Sequence, residues 1–386
     1  MSVAGTDLVP IGKSMLAQAE AATEDANLLM NLATVMFCIG QREIGLALQE
    51  QALAMQRVFH LRAAQQPAKL RLLMLVVPGD LATNIPLDCL LENMDIDIDF
   101  YYVTAGEQPL SVEVPEHDVL IVAISEFDGT HATLEALVAV LAAWPKPVIN
   151  RPQYIPNTRR NTASQRLQNI PGLYIPTTLQ ASRSELLAIA REELKLAVNF
   201  PDCEFPVIVR PVGSHAGVNL EKIEHAVALA DYLARVPAEA FFIARFIDYS
   251  GADGLFRKFR IVLIDGQPFA SHMAISAHWM IHYVNAGMYE DADKRLEEAA
   301  FMEHFAAFAQ RHHTALQAIY QQTQLDYLCI DCAETPAGEL FVFEIDHAMV
   351  VHAMDPVDMF PYKQRHIQKA KDAFRAYLER LITAAK

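Results

Sequence analysis

The chain has little of what marks secreted, membrane-spanning or nucleic-acid-binding proteins. Its five cysteines are odd in number and scattered, which argues against a disulfide framework. No run reaches the roughly 18 apolar residues of a membrane span, and the N-terminus lacks a basic segment followed by an apolar one. The net charge of −16 argues against binding to nucleic acids or anionic membranes, which depends on clustered Lys and Arg. We therefore expect a cytoplasmic protein with neither partner.

Two short motifs that carry chemistry elsewhere are weak here. Cys329 and Cys332 form a CxxC, but the spacing lies within a predicted strand, so the thiols face opposite sides. With no second pair, a zinc or redox role is not expected. The turn Pro78-Gly79-Asp80 is not a GxGxxG, so no dinucleotide site is predicted there. Any anionic ligand must be met by locally placed cations.

At 386 residues, with 52% hydrophobic residues, the chain is long enough for two or three domains. Residues 1–66 are helical in pattern, and Gly40 breaks the main run into a helical hairpin. This segment resembles one tetratricopeptide repeat. Because a single repeat cannot bury its own face, we expect it to dock on the body of the protein or on a second copy, giving a homo-oligomer. Peptide recognition is the less favoured alternative.

Residues 67–150 alternate strands with helices, which predicts a parallel sheet covered on both faces. The strand ends at Ser125 and Asn150 are placed where open α/β sheets bind ligands. The predicted strands span 69–80, 96–103, 118–125 and 147–150, and the predicted helices span 86–93 and 131–144.

Residues 151–386 carry cations next to small residues. Arg159 and Arg160 begin a predicted short helix, 161–168, and Arg210 ends a predicted strand, 205–211. That strand runs into a loop containing Gly213, Ser214 and Gly217, whose backbone can approach a phosphate. Alone the loop is a weak signal, since most such stretches are plain turns, but the cation before it strengthens the case for an anion site. A helix, 223–235, and a strand, 240–248, follow.

A hairpin over 254–276 turns at Asp265-Gly266, a strong turn signal. On its first strand Lys258 and Arg260 share a face, which requires an anion unless that face is a solvated edge. An irregular loop, HWMIHYVNAGM, leads to a predicted helix over 293–322. The tail, 361–386, is an amphipathic helix.

A second hairpin, 326–346, concentrates carboxylates among apolar residues. Alternation puts Glu344 and Asp346 on one face together with Leu340 and Val342, and Asp331 reaches the same surface from the facing strand. Three such oxygen donors suit Mg²⁺ that also takes phosphate oxygens. The alternative is again a solvated edge.

Taken in order, residues 147–352 resemble the ATP-grasp superfamily, especially its glutathione-synthetase and ribosomal-protein glutamate-ligase branch. The resemblance rests on an ordered set: Asn150 with Arg159 or Arg160, Arg210, Gly213–Gly217, Ile243–Ile247, Arg260, and Asp331 with Glu344 and Asp346. It implies an α/β ATP-grasp fold over 151–386, in two subdomains of about 151–245 and 246–386, after a pre-ATP-grasp domain at 67–150.

The resemblance further implies an ATP- and Mg²⁺-dependent carboxylate–amine ligase that acts through an acylphosphate on a small acid, amino acid or peptide. The implied site comprises Asp331, Glu344 and Asp346 for metal; Arg159 or Arg160, Arg210, Gly213, Ser214 and Gly217 for phosphates; Lys258 and Arg260 as catalytic cations; Arg245, Phe246 and Ile247 for adenine; Asp248 for ribose; and His278, His282 and Asn285 for substrate.

The chain departs from the superfamily pattern at three kinds of position. Arg210 and Arg159 or Arg160 stand where Lys is usual, Asp346 stands where Asn is usual, and Arg245 stands where an acid is usual. These departures support an alternative: a nucleotide-binding regulatory protein that keeps the fold but has lost ligase activity. A phosphotransferase on the same scaffold is a third hypothesis.

Overall fold

The computed structural model describes residues 6–21, 24–106, 108–214 and 217–385, and the mixed α/β class predicted from the sequence is confirmed. The α-helices are α1 (Val9–Ala21), α2 (Ala26–Cys38), α3 (Arg42–Met55), α4 (Leu87–Leu90), α5 (His131–Leu141), α6 (Arg160–Arg166), α7 (Arg183–Ala190), α8 (Leu196–Asn199), α9 (Ala226–Arg235), α10 (Ala292–Glu303), α11 (Phe305–Arg311), α12 (His313–Thr323) and α13 (Lys363–Ala384). The strands are β1 (Val58–Leu61), β2 (Leu70–Val76), β3 (Ile96–Tyr102), β4 (Val119–Val122), β5 (Val148–Ile149), β6 (Leu173–Tyr174), β7 (Thr178–Ser182), β8 (Val207–Pro211), β9 (Glu221–Ile223), β10 (Ala240–Arg245), β11 (Phe256–Ile264), β12 (Gln267–Ser276), β13 (Tyr327–Glu334) and β14 (Leu340–Asp346). None of the helices in these ranges is both long and apolar enough to cross a membrane.

The N-terminal helices dock on the body of the protein. Helices α2 and α3 form the predicted hairpin, with Gly40 in the left-handed region at φ 78°. Their buried side chains pack together with Phe59 of β1 and against Phe100 and Tyr102 of β3. Gln49 of α3 adds two hydrogen bonds to the backbone of Gly79. The expectation that this segment covers its apolar face by docking is confirmed.

The first sheet has the strand order β1-β3-β2-β4-β5. The predicted strands β2 to β5 are parallel, whereas β1, which the sequence analysis missed, pairs antiparallel with β3 at the edge. From β2 the chain goes outward to β3 on one side and then to β4 on the other. The carboxyl ends of β2 and β4 therefore flank the topological switch point, where such sheets bind ligands.

The other strands described form two more sheets that face each other across a cavity. The second sheet, β7-β10-β8-β9, is antiparallel and is covered by α7 and α9. The third sheet, β12-β11-β13-β14-β6, is packed by α11 and α12 on one side and by α13 on the other. The predicted Asp265-Gly266 turn joins β11 to β12, with both residues at positive φ as a two-residue hairpin requires.

Asn150 joins the first sheet to the third. Its buried side chain donates to the Tyr327 carbonyl (2.8 Å) and accepts from the Tyr327 N–H (3.0 Å), while its own N–H donates to Asp326 (3.0 Å). The residue adopts φ 52°, which Asn tolerates better than most side chains. Its role in the structure is thus to connect two sheets.

Two sequence expectations about helices and strands are corrected. The helix predicted over 293–322 is broken at His304 and His312, whose ψ values of 16° and 15° leave the helical range, and becomes α10, α11 and α12. The stretch interpreted as a linker, 151–204, contains β6, β7, α7 and α8. These elements are short, so their side-chain periodicity is too brief to detect.

Candidate active site

The cavity between the second and third sheets has a volume of about 520 Å³, within the range of small-ligand sites. One end is apolar, with walls that include Ile175, Ile208 and Phe343. The other end is charged, with Arg160, Arg210, Lys258, Arg260, Asp331, Glu344 and Asp346. This amphipathic lining suits a ligand with a flat apolar part and an anionic tail.

A β-bulge in the second hairpin sets the positions of its carboxylates. Strand register places Asp331 opposite Glu344 but Cys332 opposite Val342, so Phe343 is the extra residue. Val342 consequently packs in the same core as Cys332, on the sheet face opposite to that of Glu344. The expectation that Leu340 and Val342 share a face with Glu344 was wrong, because the bulge reverses the alternation. Asp331, Glu344 and Asp346 do line the same cavity.

Asp331 is the anion that Lys258 and Arg260 were expected to need. Lys258 Nζ lies 2.9 Å from Oδ2, and Arg260 donates from Nε to Oδ1 (2.7 Å) and from Nη2 to Oδ2 (3.0 Å). Burial alone would raise the pKa of Asp331, but Arg260 and Lys258 overcome this and hold it well below its usual range. Both carboxylate oxygens are therefore occupied by cations.

Glu344 and Asp346 differ in their partners. Glu344 pairs with Arg160, and although burial opposes it, Arg160 and Arg210 lower the pKa of Glu344. Asp346 accepts a hydrogen bond from the Ala348 N–H (2.9 Å), and burial raises its pKa. Its other neighbour is the buried His347, whose Nε2 lies 2.8 Å from the Ile124 carbonyl oxygen and whose Nδ1 is 3.6 Å from Asp346.

Arg210 is a buried cation without a carboxylate partner. It is 7% exposed, and its guanidinium donates to the hydroxyl (3.2 Å) and carbonyl oxygens of Ser214. Among the side chains that the structure describes, no carboxylate forms an ion pair with it. Burial, reinforced by Arg160, lowers the pKa of Arg210 to about 10. A buried charge of this kind is costly unless an anion or further hydrogen bonds compensate it.

The predicted phosphate loop follows directly from Arg210. Gly213 and Gly217 both adopt positive φ, 76° and 71°, and Gly213, Ser214 and Gly217 each line one of two adjoining cavities. A Cβ at Gly217 would collide with the His282 imidazole. Residues 215 and 216, the middle of the loop, lie outside the described residues.

The two arginines at the start of α6 point to different partners. Arg160 lines the main cavity and binds Glu344, whereas Arg159 binds Asp128, which follows β4 of the first sheet. Glu126 of the same segment lies 3.9 Å from Arg159. Sequence analysis left this choice open and did not single out Glu126.

The apolar end of the cavity contains the residues expected to contact adenine. Arg245, Phe246 and Ile247 line it, and Lys222 lies 4.2 Å above the Phe246 ring. The Phe246 N–H is already bonded to the Pro206 carbonyl oxygen (3.0 Å). Asp248 does not line the cavity as the described residues define it, and its carboxylate accepts from the Ser250 N–H (2.9 Å).

The loop between β12 and α10 contributes a different set of residues from the one expected. His282 lines the cavity, and burial lowers its pKa. His278 and Asn285 are exposed and do not line the cavity within the described ranges. Trp279 and Met280, which sequence analysis overlooked, do line it.

A buried polar network anchors this loop to the C-terminal helix. Lys363 of α13 donates to Asp355 (2.8 Å) and to the Tyr283 hydroxyl (2.5 Å), and Tyr283 donates to Glu298 (2.9 Å). Lys363 and Glu298 are 2% and 0% exposed. Burial raises the pKa of Glu298, although Lys363 opposes it. No sequence signal pointed to these residues, which come from three separate segments.

The donor set fits Mg²⁺ that is shared with a ligand rather than enclosed by protein. In the part of the chain that the structure describes, no group of three His, Cys, Asp or Glu side chains is arranged to hold a metal ion. Mg²⁺ is, however, commonly bound by one or two carboxylates plus phosphate oxygens. Glu344 and Asp346 meet that requirement, whereas Asp331 joins them only by exchanging one of its cations.

One match to a solved structure supports the fold. A D-alanine–D-alanine ligase from Bacillus anthracis, solved with ATP, matches with a TM-score of 0.51 at 13% identity, over 82% of this chain and 99% of its own. A VanG D-Ala:D-Ser ligase from Enterococcus faecalis (0.49, 12%, 80% and 99%) and a RimK domain ATP-grasp protein from Sphaerobacter thermophilus (0.44, 12%, 81% and 99%) match less well.

No protein-family model and no curated protein sequence matches the chain. The superfamily branch and the likeness of the N-terminal helices to a tetratricopeptide repeat stay predictions. What the structural match confirms is the architecture: the chain has the ATP-grasp fold of the D-alanine–D-alanine ligase.

Proposed function

We propose that the protein is an ATP- and Mg²⁺-dependent ligase that joins a carboxylate to an amine through an acylphosphate. The observation that carries this proposal is Arg210, a buried guanidinium without a carboxylate partner among the described residues, beside Arg160 and the small-residue loop. A buried unpaired charge is costly unless a ligand compensates it. A polyphosphate supplies that compensation, and the fold supplies the precedent.

The remaining residues divide the work of phosphoryl transfer, which is mostly positioning and charge neutralisation. Arg210 and Arg160 neutralise phosphate oxygens, and the backbone at Gly213 and Ser214 covers them. Glu344 and Asp346 would hold Mg²⁺, which would supply positive charge to offset that of the phosphates. Asp331 keeps Lys258 and Arg260 in fixed positions, so that both cations face the transferred group.

The apolar end of the cavity would bind the adenine and ribose of ATP. Phe246, Ile247 and Phe343 form the wall for adenine, and the backbone of Ile247 offers its hydrogen bonds, since the Phe246 N–H is taken. Asp248 is proposed for the ribose only if its segment moves. We assign contacts with the acceptor substrate to His282 and Trp279, because both line the cavity, whereas His278 and Asn285 are exposed and do not line it within the described residues.

The second candidate function is a regulatory protein that binds nucleotide without turnover. It is favoured by the self-neutralised site, in which Arg160 pairs with Glu344 and both Lys258 and Arg260 pair with Asp331. Such pairs must open before Mg²⁺ and phosphates enter.

Thermal melts with nucleotide test the nucleotide site. ATP with Mg²⁺ at 100 times the dissociation constant should stabilise the protein by about 2.7 kcal/mol, and ATP alone by much less. Mg²⁺ alone is the control and should have little effect, because Glu344 is already paired. A melting temperature unchanged by any nucleotide would refute the proposed site.

Phosphate release from ATP in the presence of mixed amino acids then separates the two functions. Release that depends on an added acid and amine supports the ligase. Nucleotide binding without release in any mixture supports the regulatory protein.

A further inference from the structure

The N-terminal helices hold the loop that follows β2, residues 78–83. Gln49 of α3 is 5% exposed, and its carboxamide donates to the Gly79 carbonyl oxygen (3.1 Å) and accepts from the Gly79 N–H (2.8 Å). Arg42, at the start of the same helix, donates from Nε to Asp80 Oδ2 (2.8 Å). Two consecutive residues of the loop are therefore fixed by a helix that precedes the α/β domain and the ATP-grasp domain.

The same loop brings the first sheet to the main cavity. Among the described residues between 57 and 150, only Leu81 and Ala82 line that cavity. Leu81 is apolar yet 51% exposed. The Asp80 carboxylate accepts from the Ala82 N–H (3.2 Å) and from the Thr83 hydroxyl (3.3 Å), which closes the loop around Leu81. The position of Leu81 in the cavity consequently depends on the residues that α3 holds.

Hydrogen bonds to the end of β4 place the loop beside the charged end of the cavity. The Ser125 hydroxyl donates to the Ala82 carbonyl oxygen (2.8 Å), and the Ser125 N–H donates to the Thr83 carbonyl oxygen (3.0 Å). Glu126, the next residue, lines the smaller cavity together with Arg160, which also lines the main one. The adenine wall comes from the other two sheets, so the first sheet borders the part where an acid would meet the phosphates.

We propose that Gln49, assisted by Arg42, is a positioning residue of the active site: it sets the place of Leu81, which contacts an apolar part of the acid that is phosphorylated. This inference rests on the proposed function. An apolar side chain in a pocket discriminates between substrates by the contact that it makes. A buried and fully hydrogen-bonded amide fixes geometry more than it adds net stability. The N-terminal helices thereby shape the substrate end of the site in addition to covering the first sheet.

Steady-state phosphate release from ATP tests the proposal with the full chain. The standard amino acids are supplied singly and in pairs, and the KM of ATP and the KM of an amino acid that sustains release are measured separately. Gln49→Met keeps the length of the side chain and removes both hydrogen bonds to Gly79. We expect it to raise the KM of the amino acid roughly tenfold, as loss of an apolar contact implies, and to leave the KM of ATP unchanged. Leu81→Ala should give the same result.

A double-mutant cycle shows whether Gln49 acts through Leu81. Since both changes remove the same contact, Gln49→Met combined with Leu81→Ala should raise the KM of the amino acid no further than either change alone. Gln51→Met makes the same substitution at an exposed position of α3 and should change neither KM. Thermal melts check folding. If Gln49→Met does not fold, Arg42→Met loosens the loop from an exposed position and should raise the KM of the amino acid.

Three results would overturn the inference. The first is a wild-type KM of the amino acid in Gln49→Met, or in Arg42→Met where that variant is needed. The second is an equal rise in both KM values, which indicates a general disturbance of the site. The third is additivity of Gln49→Met and Leu81→Ala. In each case release by the wild-type protein leaves the proposed function standing, whereas no release with any amino acid would show that both proposals are wrong.

Discussion

Most charged side chains at the charged end of the cavity form ion pairs with one another, whereas Arg210 does not. Lys258 and Arg260 share Asp331, and Arg160 binds Glu344. Arg210 is held only by oxygens of Ser214. A paired cation can stabilise the folded protein by itself, whereas a buried unpaired one is retained at a cost. The residue is thus the sharpest probe of the site.

Arg210→Ala should weaken Mg²⁺-ADP binding severely, measured by calorimetry, while leaving the protein folded. Arg210→Lys, which restores the usual superfamily residue, should recover binding only in part, because a point charge does not replace a planar fork. Arg235→Ala removes an exposed arginine that pairs with Glu221 and is the control. Unchanged binding in Arg210→Ala would remove this residue from the phosphate site.

At the scale of single residues, the sequence predicted which charges gather but not how they pair. Strand alternation placed Lys258 with Arg260 on one face, as observed. It failed at Val342, because one extra residue in β14 reverses every later position and leaves no compositional trace. Glu126 was overlooked because its place in a cavity with Glu344 and Asp346 depends on packing between two sheets. Such long-range contacts have no local signature.

Helix α13 is fastened by a buried lysine rather than only by its apolar face. Lys363 is enclosed between Asp355 and Glu298, so its removal leaves two buried acids without their cation. Lys363→Met should lower the free energy of unfolding by about 3–5 kcal/mol, the usual cost of breaking a buried pair. Urea denaturation of this variant and of Lys369→Met, an exposed lysine on the same helix, provides the measurement. Equal stability of the two variants would contradict the structural role of Lys363.

The N-terminal helices cover apolar surface that belongs to the first sheet. A chain beginning at Arg57 lacks α1 to α3 but keeps β1, and it exposes Phe59, Phe100 and Tyr102. We expect it to aggregate or self-associate, because these side chains lose their cover. Light scattering measures the mass, and a chain beginning at Ala64, which also lacks β1, should behave worse. A soluble protein whose association state does not change would count against this role.

Elements were predictable where their patterns were long or had clear breakers. The strands β2, β3, β4, β10, β11 and β13 were found because they combine buried apolar runs with recognisable turns. β1 and β6 were missed, since they are short and are held mainly by their neighbours, β3 and β14. The helix over 293–322 was predicted as one because its breaks at two histidines carry neither Gly nor Pro.

At the scale of the whole molecule, the arrangement of the three sheets depends on contacts between residues that are far apart in the sequence, and sequence patterns do not predict such contacts. The resemblance placed Asn150 among the residues of the nucleotide site, yet both polar groups of its side chain form hydrogen bonds to the backbone of Tyr327. One apolar core contains Leu73 of the first sheet and Ile330 of the third. The candidate site therefore lies beside a packed junction of two sheets, with Glu126 and Arg159 where the first sheet meets the smaller cavity.

We expect several histidines to destabilise the folded protein at mildly acidic pH. Burial lowers the pKa of His272, His352 and His366 below 6.5. At pH values above the pKa of histidine in the unfolded chain, these imidazoles are neutral in both the folded and the unfolded protein. Below that pKa the unfolded chain binds protons that the folded protein does not bind. The free energy of unfolding therefore decreases as the pH is lowered, by about 1.4 kcal/mol per pH unit for each histidine between its unfolded and folded pKa values.

A histidine variant separates this contribution to stability from that of buried acids such as Glu298. Their raised pKa has the opposite effect, because it favours the folded protein as the pH is lowered. His272 lies among Arg260, Lys363, Lys258 and Asp331, and the cations reinforce the effect of burial on its pKa. Relative to wild type, His272→Gln should therefore become progressively more stable as the pH falls from 7.5 to 5.5, measured by urea denaturation at several pH values. His313→Gln replaces an exposed histidine and serves as the control for the substitution itself. A difference between His272→Gln and wild type that is constant with pH would show that His272 is protonated equally in both states, and would remove it from the acid response.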